Sequence, residues 1–209
     1  HLLRGDWREA MKYSQSGARA AHKLGFTQFR TVAELLLGVA LVREGHVEKG
    51  IATVKKAAAE REAMEMTFGN QTALARLADA CGHAGLEAEG LAMIDGVLAH
   101  PTIAGDRQYE PKLHQIRGDL LLLQDIAEDE VPAVQQEAEA SFRRAVDIAR
   151  DQGAVLWEAR ALASLCRLLH SQGRHEECRK ELVDRFARFT EGFETDDLRV
   201  VRAVLEATG

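Results

Sequence analysis

Residues 34–50 read ELLLGVALVREGHVEKG, and the fold can be worked out from this stretch. Gly38 and Gly50 lie twelve residues apart, on either side of Gly45, among residues that favour helices. A glycine inside a helix lets a neighbouring helix approach closely, and a glycine such as Gly45 adopts the left-handed conformation that ends many helices. The stretch therefore predicts two helices that are joined by a tight turn and cross at Gly38 and Gly50.

The same spacing recurs along the chain with a period of 40 residues. We call the small residues that carry it the crossing positions. The first-helix series is Gly38, Ala78, Gly118 and Cys166, and the second-helix series is Ala10, Gly50, Gly90, Ala138 and Cys178. The separations are 40 or 48 residues in both series, so a single eight-residue insertion, around residues 124–136, explains the irregular values. A fixed period of this length is the signature of a repeat protein.

Large residues and turn glycines follow the same register. Four residues after the crossing positions of the later second helices stand Val54, Ile94, Phe142 and Leu182, which places each of them one turn further along the same buried face. Five residues before four of the second-helix crossing positions stand Gly5, Gly45, Gly85 and Gly173. We expect these glycines to end the first helices.

Around the crossing positions the chain resembles the tetratricopeptide repeat family. The motif of a large residue, then Leu-Gly, then another large residue is met by Glu34, Leu37–Gly38 and Leu41, and again by Leu162, Leu165–Cys166 and Leu169. The copy at residues 74–81 is weaker, and the copy at residues 114–121 departs at the Leu. The resemblance implies an all-α fold, an α-α superhelix built as a right-handed solenoid of hairpins. The period of 40 exceeds the ~34 residues of the standard repeat.

The last hundred residues resemble a narrower group. Residues 113–122 (LHQIRGDLLL), 137–146 (EAEASFRRAV), 171–174 (SQGR) and 189–198 (FTEGFETDDL) look like the C-terminal repeat region of large bacterial proteins that carry an ATPase module ahead of the repeats. Many of these proteins begin with an adenylate or guanylate cyclase domain, and others with a DNA-binding domain. The resemblance thus implies a regulatory region of a larger bacterial signalling protein.

The register also predicts the domain organisation. We expect repeats over residues 1–194, with a first hairpin truncated at the Gly5 turn, and complete hairpins over about 28–68, 70–104, 109–152 and 155–190. Thr195 is a suitable N-cap for a helix over 195–209 that would cover the last hairpin. A start in the middle of a repeat suggests a fragment.

Charge and cysteine content argue against several classes of function. The net charge is −6, and the 27 Lys and Arg residues are interspersed with 33 Asp and Glu, so a basic surface for direct nucleic-acid binding is not expected. Three cysteines, with no closely spaced pair, point to a reducing compartment. No apolar run reaches membrane-spanning length, and no signal peptide is visible. These features predict a cytoplasmic protein.

No motif for catalysis, cofactor binding or metal binding is found. The chain has no glycine-rich phosphate loop and no dinucleotide fingerprint. His170 and His175 are five residues apart without further ligand motifs, and Cys166 and Cys178 stand at crossing positions, where we expect them to pack as small residues. We therefore expect no catalytic residue, no cofactor and no metal.

The first helices of stacked hairpins line an inner groove, and their register predicts its residues. The second repeat gives an apolar end, formed by Val32, Leu35, Val39 and Val42. The later repeats give a mixed, arginine-rich end, formed by Arg76, Asp79, His83, Lys112, Gln115, Asp119, Arg160, Arg167 and His170. Such a groove suits a protein or peptide segment with an acidic end, because arginine binds carboxylates with two hydrogen bonds. Ordinary solvated helix faces remain the simpler interpretation.

Two hypotheses of function follow. In the first, the chain is a non-catalytic regulatory module that binds a protein segment, which could belong to upstream domains of its own parent chain. In the second, it is a sensor that binds a small molecule near Val32, Val39 or Trp157. The acidic insertion at 124–136 is either a tolerated surface loop or a partner-binding loop.

Overall fold

The computed structural model describes residues 6–66, 70–99, 107–174 and 176–208. Within these ranges the regular structure is entirely helical, which confirms the all-α prediction. The helices are α1 (Trp7–Lys23), α2 (Thr27–Arg43), α3 (Val47–Ala63), α4 (Asn70–His83), α5 (Glu87–Leu98), a 3-10 turn (Arg107–Tyr109), α6 (Glu110–Leu123), α7 (Val131–Asp151), α8 (Val155–Ser171), α9 (Glu176–Phe186) and α10 (Asp196–Ala207).

The chain forms two compact units, His1–Asp106 and Arg107–Gly209. In the first unit each helix packs on the next, and α2 also packs on α4. In the second unit α6 packs on α7 and α8, while α8 packs on α7, α9 and α10. Within each unit, therefore, alternate helices as well as consecutive ones are in contact, as in a stack of helical hairpins.

Glycine permits the close approach of paired helices in both units. A Cβ atom built on Gly38 would lie 2.7 Å from the carbonyl oxygen of Gly50, and one built on Gly50 would lie 2.6 Å from the carbonyl oxygen of Gly38. In the second unit a Cβ atom on Gly118 would lie 2.5 Å from the ring of Phe142. At Gly38 and Gly50 any side chain would push two helices apart, and at Gly118 it would displace the Phe142 ring.

The turns between paired helices use left-handed glycines, as predicted. Gly45, Gly85 and Gly173 have φ values of 88°, 74° and 74°, whereas Gly5 lies outside the described residues. The turn after α3 has the same geometry without a glycine, because Glu65 takes φ 56° while the Met66 N–H donates to the carbonyl of Arg61 at 2.8 Å. A left-handed conformation costs free energy for a residue with a Cβ atom.

The four large residues of the register all lie in the interior. Val54, Ile94, Phe142 and Leu182 have no exposed surface. Glu158 on α8 is also buried. Its carboxylate accepts a hydrogen bond from Arg150 of α7 at 3.1 Å and forms an ion pair with Arg185 of α9 at 2.7 Å. A buried carboxylate held by two arginines links three helices of the second unit.

Cys166 and Cys178 form a disulfide, with a Cα–Cα distance of 5.7 Å. Both cysteines are buried, as expected for packing residues, but their bond to each other was not expected from the sequence. The cysteines are twelve residues apart in sequence, but α8 and α9 pair so closely here that their Sγ atoms meet. Disulfides are typical of oxidising compartments, so the cysteine content no longer supports a reducing one. The third cysteine, Cys81, is free and buried.

The eight-residue insertion is divided between a connection and a helix. The connection from α6 to α7, Gln124–Glu130, has seven residues, whereas three residues connect α2 to α3. The other part is an additional turn at the start of α7, which has 21 residues compared with 17 in α3. Pro132 lies in the first turn of α7, where a proline needs no hydrogen-bond acceptor.

The C-terminal helix α10 begins as its sequence suggests. The Thr195 Oγ1 atom accepts a hydrogen bond from the backbone N–H of Leu198 at 3.5 Å. The helix packs on α8 and α9 and buries Leu198, Val201 and Val204. It therefore covers apolar surface that the last hairpin would otherwise expose.

Candidate functional site

A pocket of about 600 Å³ opens between α2, the end of α3 and α4 in the first unit. We call it the α2–α4 pocket. Its apolar lining includes Phe29, Val32, Leu35 and Leu36 of α2 and Ala73 of α4. Val32, Leu35 and Arg76, which the register assigned to the inner groove, all contribute to it. A concave, mostly apolar surface of this size is typical of a binding site.

Large apolar side chains remain exposed beside this pocket. Phe29 is 64% exposed and Phe26 is 54% exposed, and their ring centroids lie 6.1 Å apart in an edge-to-face arrangement. Leu24 precedes them at the turn after α1 and is 65% exposed. We call Leu24, Phe26, Phe29 and Val32 the aromatic strip. Grouped exposed apolar residues of this kind mark interaction surfaces more often than scattered ones do.

Two arginines line the same pocket. Arg61 is only 4% exposed, and it donates to Asn70 Oδ1 at 2.7 Å and to Thr31 Oγ1 at 3.5 Å. Burial lowers the pKa of the Arg61 guanidinium from its ordinary value, which still leaves it charged near neutral pH. Arg76 lies at the edge of the pocket, half-buried, and makes no hydrogen bond or ion pair with any described residue. Its guanidinium is available to an external acceptor.

Asp79 and His83 continue along α4, but both are engaged locally. The Asp79 carboxylate accepts from Arg43 Nη2 at 2.5 Å, and the Arg43 guanidinium lies over the ring of Trp7, 5.0 Å from its centroid. His83 Nδ1 donates to the carbonyl of Asp79 at 2.8 Å. These contacts join α1, α2 and α4.

Val39 and Val42 do not line a groove. They are 2% and 3% exposed and belong to the core that α2 forms with α3 and α4. Their assignment to the apolar end of the groove, and the assignment of Val39 to a small-molecule site, were wrong. The tight crossing at Gly38 and Gly50 brings α3 over this part of α2, so these side chains face its neighbours rather than solvent.

In the second unit the predicted groove residues of α6 and α8 form a hydrogen-bond network around Asp119. The Asp119 carboxylate accepts from Ser164 Oγ at 3.2 Å, from Arg167 Nη2 at 3.4 Å and from Gln115 Nε2 at 3.5 Å. Lys112 Nζ donates to Gln115 Oε1 at 3.4 Å. The predicted residues are therefore close together, but their charges largely satisfy one another.

Arg160 and His170 lie apart from this network. Arg160 pairs with Asp197 of α10 and stacks on the ring of Trp157, 5.0 Å from its centroid. This makes Arg160 a contact of the terminal helix rather than an open groove residue, which corrects the prediction. His170 is exposed near the end of α8, and His175 lies outside the described residues.

Sequence reasoning missed Phe29, Arg61 and Ser164. Phe29 lies three residues before Val32 on the same face of α2, so extending the groove register by one turn would have found it. Arg61 lies on a second helix, which the register did not assign to the groove, and only the packing of α3 against α4 brings it to the pocket. Ser164 is a small residue whose role depends on Asp119 of a neighbouring hairpin.

Two titratable side chains, Cys81 and His114, have pKa values that are shifted by burial. Burial raises the pKa of the Cys81 thiol to about 11, so it is protonated at neutral pH and a poor nucleophile. Burial also lowers the pKa of His114. No group of three or more His, Cys, Asp or Glu side chains suited to hold a metal occurs in this part of the chain.

No helix in the described ranges is both long and apolar enough to cross a lipid bilayer. No model of a known protein family matches the chain, and no curated protein shows significant similarity to it.

Proposed function

We propose that this chain is a non-catalytic interaction module, a right-handed solenoid of tetratricopeptide-like hairpins that binds a protein segment. The 40-residue register and the packing of alternate helices within each unit support the architecture. The local resemblance around Leu37–Gly38 and Leu165–Cys166 supports the family assignment. Nucleic acid and membrane are not expected as partners.

One observation carries the binding proposal: the aromatic strip is exposed beside a pocket lined by Arg76, which makes no ion pair with any described residue. Phe26 and Phe29 are 54% and 64% exposed, although phenylalanine is among the residues most often buried. Burying two such rings against a partner yields several kcal/mol at about 25 cal/mol per Å². Removal of this surface from water would therefore contribute to binding and offset part of the entropy lost on association.

The proposed context is a larger cytoplasmic bacterial signalling protein. Its upstream part would carry an ATPase module and a cyclase or DNA-binding domain, and the module would bind and regulate these domains. The stretch at 189–198 and the three other stretches that resemble such proteins support this context. The cytoplasmic location rests on that resemblance alone, because the Cys166–Cys178 disulfide removes the argument from cysteine content.

Two steps test the regulatory proposal. The coding DNA upstream of residue 1 is sequenced first, and the encoded upstream segment is produced as a separate polypeptide. Its binding to the chain is then measured by biolayer interferometry. We expect saturable binding that weakens at least tenfold when Phe26 and Phe29 are both replaced by Ser.

The matched control replaces Leu122 and Leu123, which are exposed on α6 in the second unit, by Ser. We expect this variant to bind as the unmodified chain does. Binding that is equally weakened by both pairs would show that the aromatic strip is not the contact. An upstream segment that does not bind at all would contradict the regulatory proposal.

A small-molecule sensor is the second candidate, and the size of the α2–α4 pocket favours it. Its volume of about 600 Å³ lies within the range of small-molecule sites, ~300–1,000 Å³. A ligand at 100 times its Kd would stabilise the fold by about 2.7 kcal/mol, which a thermal-shift screen of metabolites detects. A shift that is lost in Val32→Glu would establish this alternative, and the absence of any shift would contradict it.

A further inference from the structure

The positive charges of the α2–α4 pocket are unusual in a chain whose net charge is −6. Arg61 is buried in the lining and Arg76 lies at the edge, while the single carboxylate in the lining, Glu65, is exposed to solvent. An apolar groove alone would accept any hydrophobic partner. The two guanidinium groups add a preference for negative charge, because arginine binds carboxylates through charge-assisted hydrogen bonds.

The solvent exposure of the lining residues decreases from the mouth of the pocket to its base. Phe29 and Val32 are exposed at the mouth, whereas Leu35 and Ala73 are buried. One bulky apolar side chain would therefore reach buried surface while its backbone stays near solvent. Such anchoring side chains in well-desolvated pockets dominate binding energy at protein interfaces.

The apolar surface also extends beyond the pocket. Phe26 contacts Phe29, and Leu24, two residues before Phe26 in the sequence, is also exposed. A small molecule confined to the pocket would leave these side chains in water. A ligand long enough to cover them has the dimensions of a peptide segment.

From this placement we propose that the α2–α4 pocket recognises an acidic peptide segment, whose bulky apolar side chain enters the pocket while a nearby carboxylate pairs with Arg76. This inference rests on the proposed binding function and specifies the chemistry of the partner. The recognised pattern is an aromatic or branched apolar residue with Asp or Glu close to it in the sequence of the partner.

A random twelve-residue peptide display library, selected against the full chain, tests this inference. We expect the enriched peptides to combine a bulky apolar residue with a nearby Asp or Glu. In the Arg76→Glu variant the acidic preference is expected to disappear, and a peptide selected on the unmodified chain should bind at least tenfold more weakly. Arg76→Gln, which removes the charge without reversing it, should also lose the acidic preference.

Lys55→Glu is the matched control, because it makes the same charge reversal at an exposed position of α3 that does not line the pocket. We expect it to select the same acidic peptides as the unmodified chain, and circular dichroism verifies that all variants are folded. Apolar peptides enriched without acidic residues, or an acidic preference retained in both Arg76 variants, would overturn this inference and leave the binding function standing. A library with no enriched peptide would contradict both.

Discussion

At the residue scale, the pairing of α2 with α3 depends on the missing side chains of Gly38 and Gly50. Each glycine lies against the backbone of the other helix, with less than 3 Å between a built Cβ atom and a carbonyl oxygen. Backbone atoms cannot rotate away as side chains do, so the helices themselves must move to accept a methyl group. The close packing of α2 against α3 therefore depends on individual residues at the crossing positions.

The first prediction concerns Gly38→Ala. We expect it to lower the free energy of unfolding by about 1–3 kcal/mol, because the added methyl group overpacks the crossing. Gly96→Ala is the control: Gly96 lies exposed in α5 with no atom within 4 Å of a built Cβ. Urea unfolding should show that this variant is stabilised by about 0.5–1 kcal/mol. Equal effects at the two positions would contradict the crossing.

The second prediction concerns Glu65, which has φ 56° in a turn of the kind that glycine forms elsewhere in this chain. Replacement by Gly should raise the free energy of unfolding by up to about 1 kcal/mol, because it relieves the left-handed conformation of a residue with a Cβ atom. Lys55→Gly, in the middle of α3, should lower it by about 1 kcal/mol. If Glu65→Gly destabilises the protein by a similar amount, the turn geometry is wrong.

At the scale of elements, α9 is the helix with the fewest buried residues. It buries only Cys178 and Leu182, and the disulfide joins it to α8. Because α9 contributes so little apolar surface, the covalent link supplies much of what holds it in place. Cys178 therefore serves two purposes. Its small side chain lets α9 approach α8 closely, and its sulfur forms the disulfide with Cys166.

The third prediction follows from that bond. Under denaturing, non-reducing conditions the oxidised chain should show one titratable thiol, Cys81, and three after reduction. Reduction should lower the free energy of unfolding by about 3 kcal/mol, the loop-closure contribution of a twelve-residue separation. In the double variant that carries both Cys166→Ala and Cys178→Ala, reduction should leave the free energy of unfolding unchanged. Three thiols in the protein before reduction would contradict the disulfide.

At the scale of the whole molecule, the chain has two compact units, each with its own interior. In repeat proteins stability depends mainly on contacts within a repeat and with its neighbours. A defect in one unit is therefore expected to loosen that unit first. Among the residues that the structure describes, Phe142 is the largest that is fully buried, and it lies in the second unit.

The fourth prediction is that Phe142→Ala acts locally. Loss of the ring should cost about 3–5 kcal/mol and raise hydrogen–deuterium exchange in α6, α7 and α8. Exchange in α2 and α3 should stay close to that of the unmodified chain. The control, Val54→Ala, should instead raise exchange in α2 and α3 and leave α6, α7 and α8 unchanged. A uniform increase throughout both units would show that the chain unfolds as one cooperative body.

The sequence by itself determined the all-helical fold, the turns at Gly45, Gly85 and Gly173, and the cap at Thr195, because each follows from local spacing and backbone preference. The tertiary structure decided which side chains stay exposed. It buried Val39 and Val42, engaged Arg160 with Asp197, bonded Cys166 to Cys178 and brought Arg61 to the α2–α4 pocket. These outcomes depend on how helices distant in sequence pack. A periodic pattern predicts which face of a helix is buried, but it does not predict which helix packs against that face.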